Sequence, residues 1–280
     1  MILTALLTAL FGLIVGSFLN VVVLRHGARK ITGRSSCMSC GHVLNWYELV
    51  PIFSWILLRG KCLKCHTPIS VQYILVELTT GILFGILGYV IPLPLLGDTN
   101  ALVHSLVILG LSFVIMADLV AIAVYDMRHT IIPDWWSVLF ALSAIILTLY
   151  SATIHETSIF WYAAAGPLVA LPLFCLSYFS GGRWMGMGDP KLALGMGWLL
   201  GIQGGLAALW LAFVLGAIIS VFVLMPLPYI LHAIKKGSLK DSDKYLTLKS
   251  EVPFGPFLIL GTIIIWFSQF MGFDFISLFS

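Results

Sequence analysis

LVHSLVILGLSFVIMADLVAIAVYD, running from Leu102 to Asp126, is an apolar stretch that ends on a carboxylate. A helix needs about 20 predominantly apolar residues to cross a hydrocarbon core. This run meets that length with one acidic residue, Asp118, inside it, and Asp126 falls at its boundary. A second carboxylate, Asp189 in GMGDPK (residues 186–191), follows another apolar run. Ionisable groups within or bordering membrane helices are rare and face protein or water, so both mark candidate functional positions.

Working outward, similar runs cover Ile2 to Leu24, Gln72 to Ile91, Trp135 to Tyr150 and Ile159 to Tyr178. The stretch from Lys191 to His232 is too long for one span and divides at Gly201-Ile202-Gln203-Gly204-Gly205, and a last run covers Phe254 to Met271. With 60% hydrophobic and 10% charged residues, and a mean hydropathy of +1.05, a soluble domain is excluded. The expectation is an all-α polytopic membrane protein with about eight transmembrane helices and a small cytoplasmic loop domain.

Cytoplasmic loops carry the excess of Lys and Arg. Arg25, Arg29, Lys30, Arg34, Arg59, Lys61 and Lys64 follow the first run, and Arg128 the third; Arg183 and Lys191 lie between the fifth and sixth, and Lys235, Lys236, Lys240, Lys244 and Lys249 before the last. Placing all 15 in the cytoplasm puts both termini outside, with Asp98, His104, His155, Glu156 and Asp274, and brings Asp126 and Asp189 to the cytoplasmic face. The first run lacks a preceding basic residue and a small-residue cleavage signature, so it is expected to remain as a span. The net charge of +3 follows from topology and calls for anionic lipid headgroups rather than nucleic acid.

Four of the five cysteines form Cys37-x-x-Cys40 and Cys62-x-x-Cys65, in the loop assigned to the reducing cytoplasm, where disulfides are disfavoured. Two such knuckles match a closed, structural four-cysteine zinc site; a redox pair and four unligated thiols are the alternatives. Gly41 suits a tight turn and His66 reads as a turn residue. Between the knuckles, Asn45 to Gly60 is too short to span and rich in Trp and Tyr, which predicts an interfacial helix. Cys175, alone in the fifth run, reads as a small buried apolar residue.

Gly186 and Gly188 leave room for an extended substrate backbone beside Asp189. Asp189 can also cap a helix that begins at Pro190, and Asp134 can cap the fourth helix. Asp126 precedes a turn rather than a helix start. Two carboxylates within hydrogen-bond reach share a proton, the arrangement of aspartic proteases, in which one takes a proton from attacking water while the other protonates the peptide carbonyl oxygen. Asp118, deeper in the third run, reads as a structural hydrogen-bonding group.

The GxGD motif at 186–189, with Asp126 and Ile132-Pro133-Asp134, resembles the motifs of type IV prepilin peptidases, which are intramembrane aspartyl proteases. Gly16-Ser17-Phe18-Leu19-Asn20-Val21-Val22 with Arg25, the cysteine knuckles, Glu48-Leu49-Val50-Pro51 with Ser54-Trp55, Ile69-Ser70 with Glu77, and Val252-Pro253-Phe254-Gly255-Pro256-Phe257 resemble the bacterial bifunctional branch. The resemblance implies an enzyme of the bacterial inner membrane that removes the basic leader of type IV prepilins and pseudopilins after a glycine at the cytoplasmic face. It would then methylate the new N-terminal amine with S-adenosylmethionine. Such substrates serve pilus assembly, type II secretion and DNA uptake. By this likeness Asp126 and Asp189 are the protease pair, and Cys37, Cys40, Cys62 and Cys65 the zinc ligands. Lys191 tunes Asp189 or snorkels to headgroups, and Glu48 and Glu77 are candidates for the amine or methyl-donor site.

The implied organisation is a first transmembrane helix at 1–24, a methyltransferase-associated zinc loop at 25–71 and a peptidase bundle at 72–280. Competing readings are a peptidase without methylation, a proton-coupled transporter using Asp118, Asp126 and Glu77, and a noncatalytic membrane anchor. No internal repeat supports the transporter, and the anchor leaves the GxGD motif without a role.

Overall fold

Thr4, Thr8, Gly12, Gly16 and Asn20 recur every four residues along α1 (Ile2–Arg25) and lay one small or polar seam on a helix that is apolar elsewhere apart from Ser17 and Arg25. This seam packs against α3 (Gln72–Val90). A β-carbon added at Gly12 would stand 2.7 Å from Phe84 Cβ, and one at Gly16 would stand 2.8 Å from Glu77 Cα. Such close approach gains dispersion where lipid offers no hydrophobic drive for association. Hydrogen bonds close both ends of the seam. Thr4 Oγ1 donates to Gly88 O at 3.0 Å, and Asn20 Nδ2 donates to Tyr73 O at 3.1 Å, so the two helices run antiparallel.

The computed structural model describes residues 1–26, 33–94, 99–155, 159–224 and 253–272. They belong to two compact units, Met1–Tyr125 and Asp126–Ser280. The first unit holds α1, the cysteine loop with its short helix α2 (Phe53–Leu57), α3, and α4 (Thr99–His129) up to Tyr125. In its core Phe84 and Phe113 stack with ring centroids 4.3 Å apart.

The second unit is organised on α7 (Gly188–Ile219), which packs against α5 (Asp134–His155), α6 (Ile159–Ser180) and α8 (Gly255–Phe270). Gly201, at φ 74° and ψ 178°, breaks α7. A break frees backbone carbonyls that lipid cannot satisfy. Gln269 Nε2 of α8 donates to Leu200 O at 3.0 Å, and Thr148 Oγ1 of α5 donates to Trp198 O at 2.5 Å. Glycine brings the neighbours in: a β-carbon at Gly197 would meet Ala165 O of α6 at 2.5 Å, and one at Gly261 would meet Ala208 O of α7 at 2.5 Å. A short π-helical segment, Ser220–Leu224, follows α7.

Six described helices are long and apolar enough to cross a membrane, and α8 is a shorter apolar one. The expected division of the long run near Gly201 is present, and α7 counted as two segments brings the apolar segments to eight. No strand is formed among the described residues beyond two isolated bridges in the cysteine loop. One expectation is corrected. Asn45 to Gly60 forms a 3-10 turn (Trp46–Glu48) and the five-residue α2 rather than one interfacial helix, because Pro51 and the left-handed Ile52 (φ 61°) interrupt it. Trp46, Phe53 and Leu57 of that stretch are nevertheless exposed. Arg29, Lys30, Asp98, Glu156, Asp274, the end of the seventh run and the basic cluster from Lys235 to Lys249 lie outside the described residues.

The seam and the break generate a contrast. Gly16→Val overpacks the α1–α3 contact and is expected to lower stability by about 1–3 kcal/mol, while Gln269→Leu, which leaves one carbonyl unpaired, costs about 0.6–1.7 kcal/mol. Thermal unfolding in detergent micelles measures both, and an unchanged midpoint for Gly16→Val would contradict the packing described.

Candidate functional site

In the first unit, the two Cys-x-x-Cys segments fold as near copies of one turn. Gly41 N donates to Cys37 O at 2.9 Å and His66 N to Cys62 O at 3.0 Å, while Cys37 N and Cys62 N donate to His42 O and Thr67 O. Gly41 (φ 69°) and His66 (φ 57°) occupy the same left-handed corner, so His66 is a turn residue here. The four Sγ atoms lie within 4.8 Å of one another, and Cys37 Sγ and Cys65 Sγ are 3.7 Å apart. Thiolates around a tetrahedral metal at about 2.3 Å stand about 3.8 Å from each other, so the cluster has the dimensions of a four-sulfur metal site.

The thiols are electrostatically divided. The Thr67 hydroxyl and then its backbone N–H pull Cys65 down to about 6. The His42 backbone N–H also pulls Cys40 down, but loss of water and the sulfurs of Cys65, Cys37 and Cys62 prevail and push it up to about 11. Four sulfurs this close cannot all ionise alone, and a divalent cation removes the conflict.

The two glutamates singled out in the sequence hold the loop between the knuckles. Glu48 Oε2 accepts from Asn45 N at 2.8 Å, Asn45 Nδ2 at 3.1 Å and His42 Nε2 at 3.3 Å. The Asn45 backbone N–H in particular holds the Glu48 carboxyl below its ordinary range, and the Asn45 side chain and His42 assist. Glu48 Oε1 is buried with no hydrogen-bond partner among the described residues. Glu77 Oε2, from α3, accepts from Ile52 N at 2.7 Å and so secures the left-handed turn beside Pro51.

In the second unit, Asp126 and Asp189 line one cavity of about 830 Å³. Asp126 lies in the last turn of α4, which stops where Thr130 turns left-handed (φ 53°) and its N–H donates to Asp126 O at 2.7 Å. Its Oδ2 accepts from Gly255 N, the first residue of α8, at 3.1 Å. Asp189 sits in the first turn of α7. The residue before that helix is Met187, with no side-chain cap, so Asp189 does not cap α7. Its carboxylate makes no hydrogen bond to any described residue.

Gly186 is exposed on the cavity wall, Gly188 is partly exposed there, and Lys191 lies on the rim. The Lys191 Nζ pairs with exposed Asp134 at 2.5 Å rather than with Asp189. Phe213, Phe254 and Phe257 also line the cavity. Buried Ser177 fastens the loop ahead of Asp189 by donating to Met185 O at 3.0 Å. Asp118 is buried eight residues before Asp126 in α4. Sequence reading did not assign a role to Gly255 or Ser177. Gly255-Pro256 is legible as a helix start, but a bond across 129 residues leaves no local signal.

The fold and these sites define a polytopic helical membrane protein with a paired-carboxylate cavity and a four-cysteine loop that could hold a metal. Residues 10–91 match the bacterial peptidase A24 N-terminal domain, and residues 113–221 match the type IV leader peptidase family. Three proteins named prepilin leader peptidase/N-methyltransferase align with the chain. The one from Myxococcus xanthus is 36% identical over 76% of this chain and 61% of its own length, so the chain spans less than two thirds of that relative. The one from Vibrio cholerae is 29% identical over 94% and 96% of the two chains, and the one from Burkholderia pseudomallei 30% identical over 89% and 81%. No solved structure matches the chain. The chain belongs to the type IV leader peptidase family.

The sulfur cluster predicts about one divalent metal ion per chain by elemental analysis, lost on Cys62→Ser. Retention of the metal by that variant would exclude the four-sulfur site.

Proposed function

We propose that this chain is a prepilin leader peptidase and N-methyltransferase of the bacterial inner membrane, with both termini outside the cytoplasm. Its peptidase site would be the Asp126–Asp189 pair. The observation that carries the reading is that carboxylates 63 positions apart in sequence line one cavity, together with Gly186, Gly188 and three phenylalanines. Exposed Gly186 lets an extended peptide backbone approach Asp189. The phenylalanines suit the apolar helix that begins just beyond a prepilin's scissile bond.

We assign the base to Asp126, because an ionised carboxylate is the stronger acceptor for the Gly255 N–H aimed at its Oδ2. Asp189, which accepts no such bond, carries the proton. Asp126 removes a proton from water as it attacks the peptide carbonyl carbon, and Asp189 protonates the carbonyl oxygen. When the tetrahedral intermediate collapses, the C–N bond breaks, the amine leaves with the proton from Asp126, and the carbonyl returns the other proton to Asp189. Lys191 neutralises Asp134 at the rim, where a basic leader would lie.

Cys37, Cys40, Cys62 and Cys65 would hold zinc in a closed structural site, since four sulfurs leave no position for substrate. The methyltransferase-associated part would be the loop at 25–71, and the peptidase bundle would run from 72 to 280. S-adenosylmethionine would supply an electrophilic methyl group. Glu48 is the candidate to receive the cationic donor or the substrate amine, because its buried Oε1 has an acceptor to offer; Glu77, already engaged by Ile52, would hold the loop that presents it. Substrates would be type IV prepilins and pseudopilins, with membrane lipids as neighbours and no nucleic acid.

Purified protein should cleave a prepilin in detergent, with Asp126→Asn and Asp189→Asn each losing about 100- to 10,000-fold in rate. Mass analysis should find a methyl-sized gain on the new N-terminus when S-adenosylmethionine is present. Wild-type cleavage by either variant would remove the dyad, and cleavage without the mass gain would leave a peptidase alone.

A further inference from the structure

Ile132 is buried in the turn between α4 and α5 and stands against two glycines that each belong to the setting of one carboxylate. A β-carbon added at Gly188, the neighbour of Asp189, would lie 2.9 Å from Ile132 Cβ. One added at Gly255 would lie 3.2 Å from Ile132 Cδ1 and 2.5 Å from Asp126 Oδ2. Real β-carbons do not come within 3.0 Å of a neighbour, so position 188 requires glycine while Ile132 keeps its place, and position 255 requires it while Asp126 does, with Ile132 Cδ1 a tight second neighbour. Gly255 also supplies the N–H that Asp126 Oδ2 accepts at 3.1 Å. One branched side chain therefore touches the start of α7, which carries Asp189, and the start of α8, whose first amide binds Asp126.

We propose that Ile132, Gly188 and Gly255 form a clamp that sets the separation and orientation of the Asp126 and Asp189 carboxylates, with Ile132 and Gly255 acting as positioning residues for peptide cleavage. The inference rests on the peptidase reading above. The physical reason lies in the packing. The Asp189 carboxylate has no hydrogen bond to a described residue, so it is placed by the start of α7 at Gly188, against which Ile132 rests. Asp126 is held at its other end by the Gly255 amide. A side chain at 255 would push α8 off Asp126, and a cavity at 132 would let the start of α7 drift. A displacement near 1 Å in a reacting group can cost about 100-fold in rate.

The clamp differs from general stability in what it should change. It acts on carboxylate geometry and not on the walls that grip the peptide, so its loss should fall on kcat and leave KM in place. Ile132→Val keeps the branched β-carbon that faces Gly188 and gives up the Cδ1 contact beside Gly255, where the Gly255 N–H still holds Asp126, whereas Ile132→Ala removes the branch as well.

The experiment is steady-state cleavage of a purified prepilin in detergent by wild type, Gly255→Ala, Ile132→Ala and Ile132→Val, each with its thermal midpoint, beside Asp126→Asn and Asp189→Asn. Expected are a kcat loss of about 100-fold for Gly255→Ala and about 10-fold for Ile132→Ala, KM within about twofold, and Ile132→Val within about threefold of wild type. Wild-type kcat in both Gly255→Ala and Ile132→Ala, or losses confined to KM, would overturn the clamp. If Gly255→Ala does not fold, the ratio of Ile132→Ala to Ile132→Val decides: a kcat about threefold or more lower in Ile132→Ala supports the clamp and equal rates overturn it. Inactive Asp variants with fully active clamp variants would sink the clamp alone, while an active Asp variant would sink the peptidase reading itself.

Discussion

Backbone-to-backbone approach at glycine is the constraint on which both units of this protein depend. Lipid is as apolar as leucine, so helices gain little from burying apolar surface against each other and must gain dispersion and hydrogen bonds from closeness. Gly12 and Gly16 let α3 lie on α1, and Gly197 and Gly261 let α6 and α8 lie on α7. The same closeness permits the break at Gly201. A freed carbonyl is tolerable there because Gln269 is within reach of Leu200 O, and a β-carbon at Gly204 would itself lie 2.6 Å from the Gln269 amide nitrogen.

At the carboxylate cavity, glycine serves chemistry as well as packing. Gly255 brings a helix N-terminus to Asp126, where the positive end of the helix dipole and a free N–H favour a carboxylate oxygen. Gly188 lets Ile132 rest on the start of α7. The Asp189 carboxylate is left without a hydrogen bond to a described residue, which under the proposed peptidase reading would leave it open to the substrate. The rim pair Lys191–Asp134 is exposed and contributes little to stability. Its interest is its charge balance beside the opening.

The cysteine loop solves a different problem. In the loop between α1 and α3, large apolar side chains, Trp46 and Leu57 among them, remain exposed rather than packed in a core. Two short turns that converge four sulfurs, one buried glutamate that binds Asn45 and His42, and a second glutamate reaching from α3 to Ile52 take the place of that core. Glu48 and Glu77, singled out by likeness to the bifunctional branch, thus have clear roles in holding the loop, and Glu48 Oε1 differs from the other oxygens described there in having no partner.

The apolar runs were legible in the sequence because membrane insertion is decided locally, by about 20 residues at a time. So was the division of α7, because three glycines within five residues weaken a helix locally and the run around them is too long for a single span. The paired knuckles were legible because metal ligation imposes short spacings, and Asp126 and Asp189 stood out because a carboxylate in an apolar run is costly. The stretch after Asn45 is not one helix because Pro51 and a left-handed Ile52 interrupt it, and the bond that holds Ile52 comes from Glu77 in α3, beyond the reach of local sequence. Whether Asp189 capped a helix, where Lys191 pointed, and what Gly255 and Ile132 were for depended on contacts between residues far apart in the chain. Composition and spacing determined that the chain crosses the membrane and which residues are chemically unusual; the tertiary structure decided which of them meet, because only packing sets distances between helices.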